Sequence, residues 1–307
     1  MKRACCLVIW LVGARLAHAQ YNVPSQASGE SRTQLIAGDT APATSTSPST
    51  ETSVPIGWEL GASLDFMTAD LGPGARKVKF TDVVLFRLHG LVAIGKRLEL
   101  FGGADLLPKQ PSYTDELIWQ GALLGARFRF GDTLSGYARA ELGPNLGRDG
   151  HWLVGESAVQ YKRDLAEQAL FWESTLGATY TQLSLAPPIT KRFWQTELLA
   201  QSGLAVRDKK GTLATWLLFT FHFPLVSRPT SANPDPTGRS IDPQTRVDVS
   251  LGMLIGISKS LDIFAEWSIL DRGDVEDPRT TLPILSGGFD QQRILFGFNR
   301  RFGERRR

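Results

Sequence analysis

Cysteine is almost missing from this chain: two in 307 residues, Cys5 and Cys6. Beyond them there is no thiol, which excludes a disulfide framework and thiol chemistry for the rest of the sequence. Histidine is nearly as scarce. The four are His18, His89, His151 and His222, with no close His/Cys cluster, so no metal or cofactor is expected. Asp274, Glu276 and Asp277 form an acidic group, but their spacing is not that of an EF-hand, and a solvated loop explains them. No Gly-x-Ser-x-Gly elbow is present. Gly72-x-Gly74 lacks the lysine and helix of a phosphate loop. No run after the amino terminus reaches the ~20 apolar residues of a spanning helix. An excess of one charge is missing too: 34 basic residues face 31 acidic ones. Without Lys2, Arg3 and Arg15 the balance is 31 to 31, which removes the argument for nucleic acid as a partner.

What the first residues do carry is a pattern. Lys2 and Arg3 precede an apolar stretch, 4–12, and Ala17-His18-Ala19 follows. A basic start, an apolar middle and an Ala-x-Ala end are the parts of a secretory signal peptide, expected at 1–19 with both cysteines inside it. Residues 20–54 are rich in Ser, Thr and Pro, as in 41–50. They have little to bury and are expected to be disordered.

From about residue 55 the composition gains a period. Val247, Val249, Leu251, Met253, Ile255 and Ile257 share one face; Arg246, Asp248, Ser250, Gly252 and Gly256 share the other. A strand's side chains alternate with period two, so each such segment has one greasy and one mixed face. About twelve segments read this way (roughly 10–14, with ends uncertain by ~2–4 residues): 56–67, 81–94, 97–107, 117–130, 134–145, 152–163, 168–182, 192–206, 212–224, 245–258, 261–271 and 289–302. Two resist: 214–223 is nearly apolar on both faces, and the strand around Trp119 is ambiguous in phase. Many segments run longer than the five or six residues usual in soluble sheets. The expectation is an all-β fold, a single antiparallel transmembrane β-barrel over 55–303, apolar outside and polar inside. A basic tail, 304–307, follows.

The connections alternate in length. Those after the second, fourth, sixth, eighth and tenth strands are short, and those after the odd-numbered strands are generally longer; the longest are 226–242 and 272–288. Short turns on one side and long loops on the other are the habit of outer-membrane barrels, whose short turns face the periplasm. An even strand count puts both termini on the short-turn side. Trp172 and Tyr180 lie eight residues apart on one face, or ~20 Å vertically once tilt is allowed for, compatible with aromatic girdles around an apolar band of ~25 Å.

In the last strand Ile294, Phe296, Phe298 and Phe302 share the greasy face, with Arg300 the one charge among them. From residue 55 onward the chain resembles bacterial outer-membrane β-barrel proteins as a broad class. Those four residues look like the carboxy-terminal signal that such proteins present to the assembly machinery, except that Gly303, Glu304 and three arginines follow Phe302. The resemblance implies insertion into the outer membrane of a diderm bacterium, with outer-membrane lipid and the assembly machinery as partners.

The inward faces carry charges of both signs. Arg87, His89, Glu99, Arg127, Arg139, Glu141, Glu173, Glu197 and Glu266 are the residues expected to line the interior. A barrel of about twelve strands has a narrow lumen. One function that fits is a porin-like channel for small polar solutes, walled by those charges. Another is a non-conducting structural or surface-interaction barrel in which the same charges pair and close the lumen. A third, weaker reading is a hydrolase of lipid or peptide using His89, His151 or His222. His151 and Ser157, six residues apart along one strand, stand ~20 Å from each other and cannot act as a pair.

Overall fold

A computed structural model describes most of the chain between residues 56 and 302. Outside the described residues lie 1–55, 303–307, most of the long connections (70–83, 108–117, 145–149, 186–190, 229–244, 273–290) and parts of the turns. The expected signal peptide, the Ser/Thr/Pro segment, the basic tail and the acidic group Asp274, Glu276 and Asp277 therefore fall outside it.

Twelve antiparallel strands form one closed barrel in simple sequence order, β1 meeting β12. They are β1 (Ile56–Ala69), β2 (Val84–Ile94), β3 (Leu98–Leu107), β4 (Ile118–Arg129), β5 (Leu134–Pro144), β6 (Gly150–Ala166), β7 (Leu170–Leu185), β8 (Lys191–Arg207), β9 (Leu213–Arg228), β10 (Arg246–Gly256), β11 (Leu261–Arg272) and β12 (Gln291–Phe302). Closure leaves no unpaired edge, which a strand in lipid requires. The pairing drifts steadily along the strands. From Ala62 in β1, partners followed in turn reach Leu88, Ala104, Ala122 and Leu142 and end at Arg228, the last residue of β9. That stagger is the shear that tilts the strands of a closed barrel.

Period two sets the two faces. Large apolar side chains are exposed on the outside of every strand, from Leu60 and Leu88 through Leu124 and Leu176 to Phe298, with Leu124 72% exposed. Soluble monomers rarely expose a contiguous apolar surface of this extent. The greasy faces do not meet in a core; the charged faces turn inward. Outward aromatic pairs mark two levels. Near the short turns stand Trp58 with Phe302 (centroids 4.1 Å), Phe128 with Phe130 (5.4 Å) and Tyr161 with Trp172 (6.0 Å). Near the long loops stand Phe66 with Phe296 (6.4 Å), Tyr180 with Trp194 (6.2 Å) and Phe221 with Phe223 (6.2 Å). These are the girdles of a transmembrane barrel. Arg300, the charge on the greasy face, lays its guanidinium 5.2 Å from the Phe302 ring, at the end of the strand where a long cation reaches the interface.

The two strands that resisted the period have physical reasons. Asp105 pairs with Gly121 but Leu106 pairs with Trp119, so one extra residue is inserted in β4. Such a bulge reverses the alternation locally. β9 extends to Arg228 rather than ending near 224. Pro224 pairs with Glu197 and Val226 with Thr196, so the proline sits at a bulge, where a missing donor is tolerated.

Candidate functional site

The candidate site is the inner wall. All nine residues expected there are buried, with exposures from 1% (Arg127, Glu141, Glu197) to 9% (Glu173). Their pairing follows register, because directly opposed residues of an antiparallel pair face the same side.

From β2 to β6 the wall is a ladder of ion pairs. Arg87 opposes Asp105 and grips it bidentately, Nε to Oδ1 at 2.5 Å and Nη2 to Oδ2 at 2.6 Å. Glu99 opposes Arg127; it accepts from Arg127 Nη1 at 3.1 Å and from Arg129 Nη2 at 2.7 Å. Arg139 opposes Glu156 and donates to it at 2.9 Å through Nη2, and to Glu141 at 3.1 Å through Nη1. The Tyr137 hydroxyl donates to the other Glu156 oxygen. All these charges but Arg129 are buried, and a buried charge survives only with such partners.

Elsewhere the side chains reach over a neighbouring strand. Arg246 on β10 pairs with Glu197 on β8, across His222 on β9. Gln195 Nε2 donates to Glu197 at 2.7 Å, and His222 Nδ1 lies 3.9 Å from the same carboxylate. At the β1–β12 closure Arg293 Nε donates to Asp65 at 3.0 Å, and Arg301 pairs with both Glu59 and Asp262. His89 Nε2 and Asn299 Oδ1 share a hydrogen bond at 2.6 Å directly above Gly61, where any Cβ would collide with both.

A different lining covers the short-turn part of β7 to β12. Phe171, Ala205, Ala214, Trp216, Leu218, Leu254, Phe264 and Leu295 form one buried apolar cluster on the inner wall. The rings lie flat on glycines of the next strand. A Cβ at Gly252 would fall inside the Trp216 indole, one at Gly297 inside the Phe264 ring, and one at Gly203 against Leu218. Lying across Gly252, Trp216 Nε1 donates to Glu266 on β11 at 3.3 Å, which satisfies the indole donor in a buried position. The Phe171 ring has two cations above it, Lys162 Nζ at 4.3 Å and Arg207 at 5.4 Å.

Of the nine expected residues, Glu99 with Arg127 and Arg139 with Glu141 contact each other. Arg87, His89, Glu197 and Glu266 are instead joined to Asp105, Asn299, Arg246 and Trp216. Asp65 and Arg293 belong to the same wall, to which their parity with Glu59 and Asn299 assigns them. Trp216, Leu218 and Leu254 were hidden because an apolar residue on an inward phase looks like an outward one. His151 and Ser157 are exposed, and their phase is the outward one; the contacts of His89 and His222 above are to Asn299 and Glu197, not to serine. Among the described residues no group of three or more His, Cys, Asp or Glu is placed to hold a metal ion. Ile294, Phe296, Phe298 and Phe302 alternate outward on β12, with Phe296 51% and Phe298 46% exposed.

No family model and no curated protein matches this chain. Solved structures are similar to it at low identity. An outer membrane channel from Pseudomonas putida F1 is 13% identical with TM-score 0.48, over 84% of this chain and 100% of that one. The NanC porin is 8% identical with TM-score 0.46, over 78% and 98%. The translocator domain of autotransporter NalP from Neisseria meningitidis is 12% identical with TM-score 0.42, over 90% and 96%.

Proposed function

We propose that this protein is a bacterial outer-membrane channel whose narrow, polar lumen passes small polar solutes. The observation that carries the reading is the inner wall: charges of both signs stand on the inward face from β1 to β12, while the outward face is apolar over the middle of every strand. An interior of this kind interacts with water and polar solutes rather than with lipid. Inward glycines support it as well. By letting bulky groups such as Trp216, Phe264 and His89 lie flat on the wall, they keep those groups from projecting toward the axis. On this reading Arg87, His89, Glu99, Arg127, Arg139, Glu141, Glu173, Glu197 and Glu266 line the path. Both termini lie on the short-turn side, in the periplasm. Ile294, Phe296, Phe298 and Phe302 are read by the assembly machinery before they meet outer-membrane lipid.

A second reading has its own observation. The same nine residues are at most 9% exposed, and their ion pairs are made with each other and with neighbouring wall residues. That favours a closed, non-conducting barrel with a structural or surface-interaction role. Planar-bilayer recording of the refolded protein separates the two. Discrete conductance steps are expected of a channel, whereas a protein that inserts yet never conducts would sink the channel reading and leave the closed barrel. Insertion is checked independently, since the unboiled barrel should migrate differently from the boiled chain on a gel.

A further inference from the structure

The outer wall is apolar almost everywhere, but at the long-loop end of β6 to β9 it changes. His151 on β6 opposes Ser184 on β7, which opposes Arg192 on β8. One row nearer the middle, Gln182 opposes Trp194, which opposes Arg228 on β9. His151, Arg192 and Arg228 are exposed. Beneath them the polar groups are ordered: the Tyr180 hydroxyl donates to Gln182 Oε1 at 2.8 Å, and Gln182 Nε2 donates to Ser184 Oγ at 3.0 Å. The Tyr180 and Trp194 rings lie 6.2 Å apart and form part of the long-loop aromatic level.

Arg192 and Arg228 are diagonal neighbours on one face, with Cα atoms ~7–8 Å apart. Two flexible guanidiniums at that spacing can converge on one tetrahedral anion. Neither has an ion-pair partner among the described residues, and no described side chain in these two rows is a carboxylate. Elsewhere at this rim no described outward side chain is an arginine or lysine. An arginine at the level of the aromatic girdle meets lipid headgroups, and phosphate is the headgroup anion its fork fits.

We propose that this patch binds the phosphate headgroup of an anionic membrane lipid, held by Arg192 and Arg228 with Trp194 against the upper acyl chain and His151 at the edge. The site rests on the membrane placement of the barrel and not on whether the barrel conducts.

The test uses the full chain reconstituted in phosphatidylcholine nanodiscs doped with phosphatidic acid, with bound lipid read by native mass spectrometry. Wild-type protein is expected to retain phosphatidic acid over phosphatidylcholine. R192Q/R228Q is expected to lose that preference by about tenfold or more, the cost of a charge-assisted contact. R163Q, on the outward phase at the short-turn end, should leave it unchanged. Equal retention by wild type and R192Q/R228Q, or loss on R163Q as well, overturns the proposal. So does displacement of the lipid by inorganic phosphate at matching concentration, which would make this a site for the free ion. If R192Q/R228Q does not insert, R192K/R228K is read instead, because lysine keeps the charge but not the fork. Weakened retention supports the site and unchanged retention overturns it. Failure of insertion by the wild type, seen on the unboiled gel, would overturn the membrane placement and the lipid site with it.

Discussion

The two halves of the inner wall are built on one scaffold and filled in opposite ways. From β2 to β6, register sets Arg87 against Asp105, Glu99 against Arg127 and Arg139 against Glu156. The wall is held by pairs whose members are useless alone. From β7 to β12, near the short turns, Trp216, Leu218 and Phe264 lie on Gly252, Gly203 and Gly297, and the wall is held by shape. The first half is sensitive to loss of a buried charge such as Arg139, the second to an added atom at a glycine such as Gly252. A barrel therefore has two independent solutions for an inward face that is neither water nor lipid, one electrostatic and one steric.

Breaking the electrostatic half should cost most. Arg139→Leu leaves Glu141 and Glu156 buried without their shared cation, and about 3–5 kcal/mol of stability is expected to go, read as a lower urea midpoint for loss of the unboiled gel form. The steric half should fail by a different signature. Gly252→Ala places a methyl where the Trp216 ring lies, with an expected cost of ~1–3 kcal/mol from overpacking. Adding Trp216→Ala should recover part of that loss. If the two changes are instead additive, the indole does not rest on Gly252 as described. Least affected should be Arg129→Gln. Arg129 shares Glu99 with Arg127, and its side chain is 22% exposed against 1% for Arg127. A partly solvated ion pair contributes ~0–1 kcal/mol. A loss as large as that of Arg139→Leu would show that exposure does not divide the charged half.

How far these halves could be read from sequence differs as well. The strand number, the short–long rhythm and the inward phase of Arg87, Glu99 and Arg139 follow from period two and charge, because a charge on an outward phase is expensive in lipid. The apolar half gives no such sign. In β9 both phases of 214–223 are apolar, so nothing local tells Trp216 from Leu217. A non-local clue does exist: glycines at 203, 252 and 297, each on an inward phase, mark places where a neighbour's ring must lie. Using it needs the register, which the sequence does not print. Arg246 and Glu197 met across His222 for the same reason, since a contact skipping a strand has no periodic signature. The bulges at β4 and β9 shifted the phase or the end of a strand by breaking the rule that the rest of the reading used.

The meeting of β1 and β12 has a consequence for how the molecule comes into being. Trp58 is paired with Phe302 and Ala69 with Gln291, and the closure is tied further by Asp65 to Arg293, 228 residues apart, and His89 to Asn299, 210 apart. Every other strand partnership joins neighbours in sequence. This one cannot exist until synthesis has passed Gln291. Contacts of such separation are the slow ones, because a very large loop must close before they reward it. Without that pairing β1 and β12 would be bare edges, and the last dozen residues of the barrel are what make it a ring.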